Sequence, residues 1–254
     1  MTVELEIRQV MAAQSYPPRK MRAQVVGVLS LSHDVYRVEL SLLHRHELKF
    51  FAGQYLAVEL PGAGPCYFSI ASGPDAPHLE LHIQAVPESV SARRVIDTLT
   101  PGSQVTLSVP HGKACLQTVP DKPLLLVVAG TGFAQAKSMM DYLRANGCRQ
   151  PVTLYWGVRC QQDMYLLSLA QQWQAESPAF TFVPVVGDNA DNDWTGHHDQ
   201  LAHAVLASAV DWSNVRVVAS GSPAMVYTLM DSLLAAGLPA AEFLSDVLEY
   251  APRG

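Results

Sequence analysis

The sequence has no run of basic residues and no long apolar stretch, and each absence excludes a class of protein. With 17 Lys and Arg against 23 Asp and Glu, its net charge is -6. Nucleic acids and anionic membrane surfaces attract basic proteins, so neither is expected as the main partner. No apolar stretch reaches the roughly 20 residues that cross a bilayer, and the first residues lack the pattern of a secretory signal. We therefore expect a soluble, cytoplasmic protein.

Cysteine is also scarce, and its spacing argues against a metal centre. Cys66, Cys115, Cys148 and Cys160 are scattered along the chain. Zinc and iron–sulfur sites need closely spaced cysteines, so this pattern predicts buried thiols. The histidines of segment 197–203 lack the i, i+4 spacing of a zinc-protease helix and favour a solvated helix start. No metal site is predicted.

Apolar residues make up 49 % of the 254 residues and charged residues 16 %, which predicts well-filled interiors. The length favours two domains. From Met21 to Val109 short, alternating segments predict antiparallel strands of a β-barrel, with one helix over Ser91–Leu99. After Pro110 the apolar runs alternate with helical segments, which is typical of a parallel sheet covered by helices.

The predicted fold class is therefore β + α/β: an antiparallel β-barrel domain followed by a Rossmann-like parallel-sheet domain. We assign residues 1–20 to an N-terminal arm, 21–115 to the barrel and 116–254 to the α/β domain. Helical periodicity in the second domain predicts helices over 134–146, 162–175 and 223–236, whose apolar faces are expected to form core.

The segment 124–134, LLLVVAGTGFA, carries the sharpest local signal. A run of strand length breaks at Gly130-Thr131-Gly132 and then takes helical spacing. Small residues let a pyrophosphate approach the backbone, and a helix start favours negative charge. Gln135 stands where a complete dinucleotide motif would have Gly or Ala. Two interpretations stay open: a phosphate site, or a tight turn without a ligand.

Six short segments occur along the chain as FAGQY (51–55), FSIAS (68–72), LHI (81–83), PHG (110–112), GTGFA (130–134) and YWGVR (155–159). In this order they resemble the ferredoxin-NADP reductase superfamily, and most closely its bacterial NAD(P)H:flavin reductases. The resemblance covers about residues 21–250. It implies a flavin, FAD or FMN, along the barrel at the domain cleft, and NADH or NADPH on the second domain. Hydride would pass from the nicotinamide to the flavin.

The resemblance also implies which barrel residues bind the flavin. Ser69 would lie near the hydride-accepting nitrogen and is our first catalytic candidate; an ordinary strand serine is the alternative. His82 would line the flavin chain, or be a plain surface histidine. The implied flavin-binding residues are Tyr67, Phe68, Ser69, Ile70, His82, Ile83 and Ser91.

The nucleotide would lie at the carboxyl edge of the second sheet. Thr131, the second catalytic candidate, would touch the nicotinamide or cap the following helix, or do both. Arg159 would bind a 2'-phosphate or be an ordinary surface residue, which leaves NADH against NADPH open. The implied residues are Gly130, Thr131, Gly132, Phe133, Gly157, Arg159, Ser220, Gly221, Pro223 and Met225.

The chain departs from the pattern that it resembles at three places. Cys66 stands where the flavin strand usually carries Arg, and Ser220 where other members carry Cys; segment 194–197 reads WTGH instead of WxGR. Without the Arg a flavin phosphate loses a bidentate partner. The helix start at Ser91, with Arg93 or Arg94 near, can still meet a phosphate, but Glu88 opposes it. We therefore predict a weakly held, exchangeable flavin.

Taken together, the sequence predicts an NAD(P)H-dependent flavin reductase that delivers electrons to free flavin, ferric iron or an oxygenase partner. Two alternatives remain: a non-catalytic flavin- or nucleotide-binding module, and a reductase component that keeps FAD tightly bound and serves a protein acceptor.

Overall fold

The computed structural model describes residues 16–44, 47–60, 62, 64–86, 89–187, 197–198, 200–208 and 210–253. Most of the predicted N-terminal arm and residues 194–196 of the WTGH segment lie outside these ranges. Within them, no helix combines the length and the apolarity needed to cross a membrane.

Six antiparallel strands form the first sheet, in the spatial order β4-β3-β6-β1-β2-β5. An isolated bridge between Ile70 and Leu81 joins the two outer strands, so that the sheet nearly closes into a barrel. Alternate side chains of the strands point into its core, as the period of two predicts. The strands are β1 (Arg19–Ser30), β2 (Val35–Leu42), β3 (Tyr55–Glu59), β4 (Cys66–Ser69), β5 (Leu79–Gln84) and β6 (Gln104–His111).

The predicted helix of the barrel domain is helix α1 (Val90–Thr98). It buries Ala92 and Val95 in the barrel core and contacts strands β4 and β5. The helix therefore covers the barrel core and lies beside the strand that carries Ser69.

The second sheet is parallel, in the order β10-β9-β8-β7-β11-β12. Its central strands are apolar on both faces, because helices cover both sides. This arrangement confirms the predicted fold class. The strands are β7 (Leu124–Ala129), β8 (Val152–Val158), β9 (Phe180–Val186), β10 (His197–His198), β11 (Arg216–Ser220) and β12 (Phe243–Leu244), and the helices α2 (Phe133–Ala145), α3 (Leu167–Glu176), α4 (Leu201–Leu206), α5 (Pro223–Ala235) and α6 (Val247–Tyr250).

Two local predictions were wrong. Helix α3 begins at Leu167 and not at residue 162, because residues 161–163 form a 3-10 turn in which Asp163 accepts a hydrogen bond from the Cys160 N–H. The backbone of residues 197–198 pairs with strand β9 and is not a helix start.

The prediction of buried thiols holds for one cysteine and is wrong for three: all four thiols are free, but Cys115 alone is buried, whereas Cys66, Cys148 and Cys160 are half-buried. Within the described ranges, His, Cys, Asp and Glu form no group that could hold a metal ion.

Candidate active site

Two grooves lie where the barrel meets the parallel sheet. The first groove has a volume of about 1290 Å³ and runs from strand β4 and the start of helix α1 to the ends of strands β11 and β12. This is enough for a ligand of dinucleotide size, since drug-sized ligands fill roughly 300 to 1,000 Å³. Among the predicted site residues it is lined by Tyr67, Phe68, Ser69, Ser91, Ser220 and Gly221.

Three rings of the barrel make an aromatic platform in the first groove. Tyr55 stacks on His111 with ring centroids 5.5 Å apart and an interplanar angle of 15°. Tyr67 lies edge-on to both rings, at 5.9 and 6.0 Å, and is 58 % exposed. Exposed aromatic rings of this kind offer stacking surface to another flat ring. The platform therefore offers a stacking surface within the first groove.

Ser69 ends strand β4 and pairs with Tyr55 of strand β3. It lines the first groove, and its hydroxyl forms no hydrogen bond with the described part of the protein. The hydroxyl is therefore available to a ligand in the groove.

The second groove has a volume of about 1030 Å³ and lies at the carboxyl edge of strands β7, β8 and β9. Residues of the barrel, including His33 and Asp34, form its opposite wall. Arg159 is its single Lys or Arg among the described lining residues. Among the predicted site residues it is lined by Gly130, Thr131, Gly157, Arg159 and Met225.

The glycine turn, Gly130-Thr131-Gly132, lets neighbouring backbone segments approach closely. Gly130 has a φ of +53°, which favours glycine, and its carbonyl accepts a hydrogen bond from Trp156 Nε1 at 3.0 Å. A Cβ on Gly132 would lie 2.5 Å from the Ser220 carbonyl oxygen. No side chain caps the start of helix α2, so the capping alternative for Thr131 is wrong.

The two grooves adjoin at Gly221. This glycine lines the first groove, and a Cβ on it would lie 3.1 Å from the Cβ of Ala129 and 2.3 Å from Met225 Cε, both in the second. Ser69 and Thr131 therefore line neighbouring grooves, not one shared groove.

The remaining predicted residues line neither groove. Ile70, Ile83 and Phe133 are fully buried, and Pro223 begins helix α5 on the surface. His82 is 4 % exposed, so the surface-histidine alternative is wrong. Its ring lies between the two domains, where it contacts Tyr165.

Two side chains that the sequence analysis missed, the buried Gln135 and the half-buried Asp246, join the domains beneath the first groove. Gln135 Nε2 donates to the carbonyls of Gly53 and Ala114, at 2.9 and 2.8 Å, and to Asp246 Oδ2 at 3.2 Å. Asp246 Oδ1 accepts from the Lys113 and Ala114 N–H groups. Burial raises the pKa of Asp246, and these hydrogen bonds oppose the shift. The sequence signal was a glutamine on the inner face of helix α2.

A second polar cluster at the interface contains Glu80 of strand β5. Its Oε1 lies 2.7 Å from His82 Nε2, and its Oε2 lies 3.2 Å from Lys137 Nζ. Burial alone raises the pKa of Glu80, but the hydrogen bond from His82 and the charge of Lys137 outweigh it and lower the pKa to about 2.

This low pKa predicts a pH-dependent contribution to stability. The folded protein binds the Glu80 proton more weakly than the unfolded chain does, so ionised Glu80 stabilises the fold above the ordinary pKa of 4.5. That contribution disappears as the pH falls towards 2. We expect Glu80→Gln to lower the free energy of unfolding by about 3 kcal/mol at neutral pH, and by much less in acid.

Urea unfolding of wild type and variant, at neutral pH and in acid, measures the difference in the free energy of unfolding. Glu39→Gln is the matched control, because Glu39 pairs with Arg37 on the barrel surface, where an ion pair contributes little. A Glu80→Gln deficit that stayed constant with pH would contradict the assignment.

Comparisons with known proteins agree with this architecture. Residues 22–115 match the family described as oxidoreductase FAD-binding domain, and residues 126–230 match the oxidoreductase NAD-binding domain.

The reductase component of the naphthalene 1,2-dioxygenase system of Pseudomonas putida is 30 % identical over 89 % of this chain and 68 % of its own. The NAD(P)H-flavin reductase of Aliivibrio fischeri is 29 % identical over 79 % of this chain and 86 % of its own. Among solved structures, the Amycolatopsis cytochrome P450 reductase GcoB superposes with a TM-score of 0.82 at 28 % identity, over 91 % of this chain and 70 % of its own.

Several of the relatives are longer proteins, of which the chain spans 66 to 70 %. The two matched domains stand in the order that the fold shows, with the aromatic platform in the first and the glycine turn in the second. The chain therefore belongs to the ferredoxin-NADP reductase superfamily, as an oxidoreductase with a FAD-binding domain followed by an NAD-binding domain.

Proposed function

We propose that this protein transfers hydride from NADH or NADPH to a flavin that it holds weakly, and so supplies reduced flavin to ferric iron or to an oxygenase partner. The observation that carries the proposal is the meeting of two grooves at Gly221. One contains the aromatic platform and the unpaired Ser69 hydroxyl, and the other contains the glycine turn.

A bound flavin supplies the ring that accepts the hydride, and the protein supplies position and environment. Tyr67 offers a stacking surface, Ser69 a free hydroxyl, and Gly132 a turn without a Cβ. Hydride transfer needs two rings in contact and shielded from water, which grooves between two domains can provide. Our proposal assigns the first groove to the flavin and the second to the nucleotide.

Weak flavin binding follows from the charges of the first groove. Cys66 lines it at the position where the resemblance expects Arg, and Arg94 is the single Lys or Arg among its described lining residues. A flavin phosphate at the start of helix α1 meets one cation. It is therefore held less strongly than it would be by that cation and a bidentate arginine together.

We expect the purified protein to lose its flavin on gel filtration, and Cys66→Arg to bind FMN about tenfold more tightly while riboflavin affinity changes little. Fluorescence titration with both flavins measures the two affinities. Cys66→Ser is the control that removes the thiol without adding charge. Stoichiometric retention of flavin by the wild type would overturn the proposal of an exchangeable flavin.

The activity itself is tested by following nicotinamide absorbance with NADH or NADPH against riboflavin, FMN and FAD. Turnover with an added flavin supports the proposal. The P. putida relative favours a second candidate, a reductase component serving a protein acceptor, and this would show as turnover that needs such an acceptor. No oxidation in any combination would indicate a non-catalytic binding module.

A further inference from the structure

A chain of hydrogen bonds through the buried His82 crosses from the barrel to the second groove. His82 Nδ1 lies 3.0 Å from Tyr165 Oη, and Nε2 lies 2.7 Å from Glu80 Oε1. Tyr165 follows strand β8 and lines the second groove, whereas Glu80 and His82 belong to strand β5 of the barrel. One imidazole thus connects the wall of the second groove to the other domain.

The protonation states fix the direction of each hydrogen bond. Burial lowers the pKa of His82, so its ring is neutral at physiological pH, and burial together with the charge of Glu80 raises the pKa of Tyr165. A neutral imidazole donates from one nitrogen and accepts at the other. Since Glu80 is ionised, His82 Nε2–H donates to Glu80, and Nδ1 accepts from the Tyr165 hydroxyl.

The chain also reaches the segment that follows Ser69. The Ala71 N–H donates to the Glu80 carbonyl at 2.7 Å, and the Glu80 N–H donates to Ser72 Oγ at 3.1 Å. Lys137 of helix α2 contacts both the Glu80 carboxylate and the Ala71 carbonyl. Glu80 therefore orients His82 and holds the segment that follows strand β4.

On the other side, the Tyr165 ring packs against two rings that adjoin the glycine turn. It lies edge-on to Trp156 at 5.3 Å and to Phe133 at 5.9 Å. Phe133 follows the turn directly, and Trp156 donates to the Gly130 carbonyl. A shift of the Tyr165 ring would therefore disturb the backbone that borders the second groove.

We propose that His82 is a positioning residue for the nicotinamide nucleotide. Through Tyr165 it fixes the positions of the wall and the glycine turn of the second groove relative to strand β4, which carries Ser69. This inference rests on the proposed function, which assigns that groove to the nucleotide. A hydrogen-bond chain that served only stability would alter unfolding and leave nucleotide affinity unchanged.

Three substitutions separate the two bonds of His82. Tyr165→Phe removes the hydroxyl and keeps the ring, His82→Gln keeps a polar group near Nε2, and His82→Asn keeps one near Nδ1. We expect Tyr165→Phe and His82→Gln to raise the KM and the dissociation constant for the nucleotide about fivefold, with kcat and the flavin KM within about twofold. His82→Asn should keep most of the nucleotide affinity that His82→Gln loses, because the Asn side chain retains a hydrogen-bond partner for the Tyr165 hydroxyl.

Tyr142→Phe is the matched control, since Tyr142 lies on helix α2 and lines neither groove. Nucleotide binding is measured by titration calorimetry and turnover by nicotinamide absorbance, with thermal unfolding of every variant alongside. Unchanged nucleotide affinity in Tyr165→Phe, with or without a lower unfolding temperature, overturns the inference, as does equal loss in both His82 variants.

The two proposals fail in different ways. A wild type that binds nucleotide but reduces no flavin refutes the proposed function. The nucleotide dissociation constants of the variants relative to the wild type still decide the role of His82. A wild type that binds no nucleotide refutes both.

Discussion

Ser69→Ala is expected to slow hydride transfer about a hundredfold while leaving flavin affinity within about threefold, which is the scale of losing one preorganised hydrogen-bond donor at a reacting centre. Ser69 lines the first groove, and its hydroxyl has no partner in the described part of the protein. Since the fold itself does not use this hydroxyl, its removal should cost little stability. Stopped-flow absorbance of the flavin under anaerobic conditions measures the transfer step directly.

Two variants make the Ser69 result interpretable. Ser69→Thr keeps a hydroxyl and should retain part of the rate. Ser41→Ala removes a strand serine on β2 that lines neither groove and should behave as wild type. Unchanged hydride transfer in Ser69→Ala would remove Ser69 from the catalytic residues and leave it as part of the groove wall.

Gly132→Ala is expected to have the largest effect on the second domain. The added methyl group would lie 2.5 Å from the Ser220 carbonyl oxygen and 3.0 Å from its carbonyl carbon, so backbone must move. Overpacking of this kind costs about 1 to 3 kcal/mol. The displaced turn carries Thr131, and the displaced strand end carries Ser220, so both grooves change shape. We expect the nucleotide KM to rise more than about tenfold.

Urea unfolding and nucleotide titration measure the two consequences. Gly27→Ala is the control, because a Cβ there meets no atom within 4 Å; it should alter stability by less than about 0.5 kcal/mol. A Gly132→Ala protein with wild-type stability and nucleotide affinity would show that the contact with Ser220 relaxes at no cost.

The architecture could be predicted from the sequence because it depends on short-range periodicity. Strand β2 alternates buried and half-buried residues, whereas strand β7 is apolar nearly throughout, and these two patterns distinguish a barrel strand from a central parallel strand. The glycine turn was also visible, since its residues are adjacent. The start of helix α3 was missed because helical periodicity does not reveal a 3-10 turn closed by Asp163.

The interface could not be predicted, because its contacts join distant positions. His82 and Tyr165 are 83 residues apart, and no local pattern pairs them. Gln135 matches a dinucleotide motif poorly, yet in the fold it joins Gly53 of the barrel to Asp246 of the second domain. The division into two grooves likewise depends on how the sheets pack against each other.

The hydrogen bonds of Asp246 have a consequence for synthesis. They connect a carboxylate near the end of the second domain to N–H groups 132 and 133 positions earlier. Domains generally fold as units while the chain emerges from the ribosome. The barrel can form early, but the floor of the first groove is completed only after Asp246 of the second domain has been synthesised.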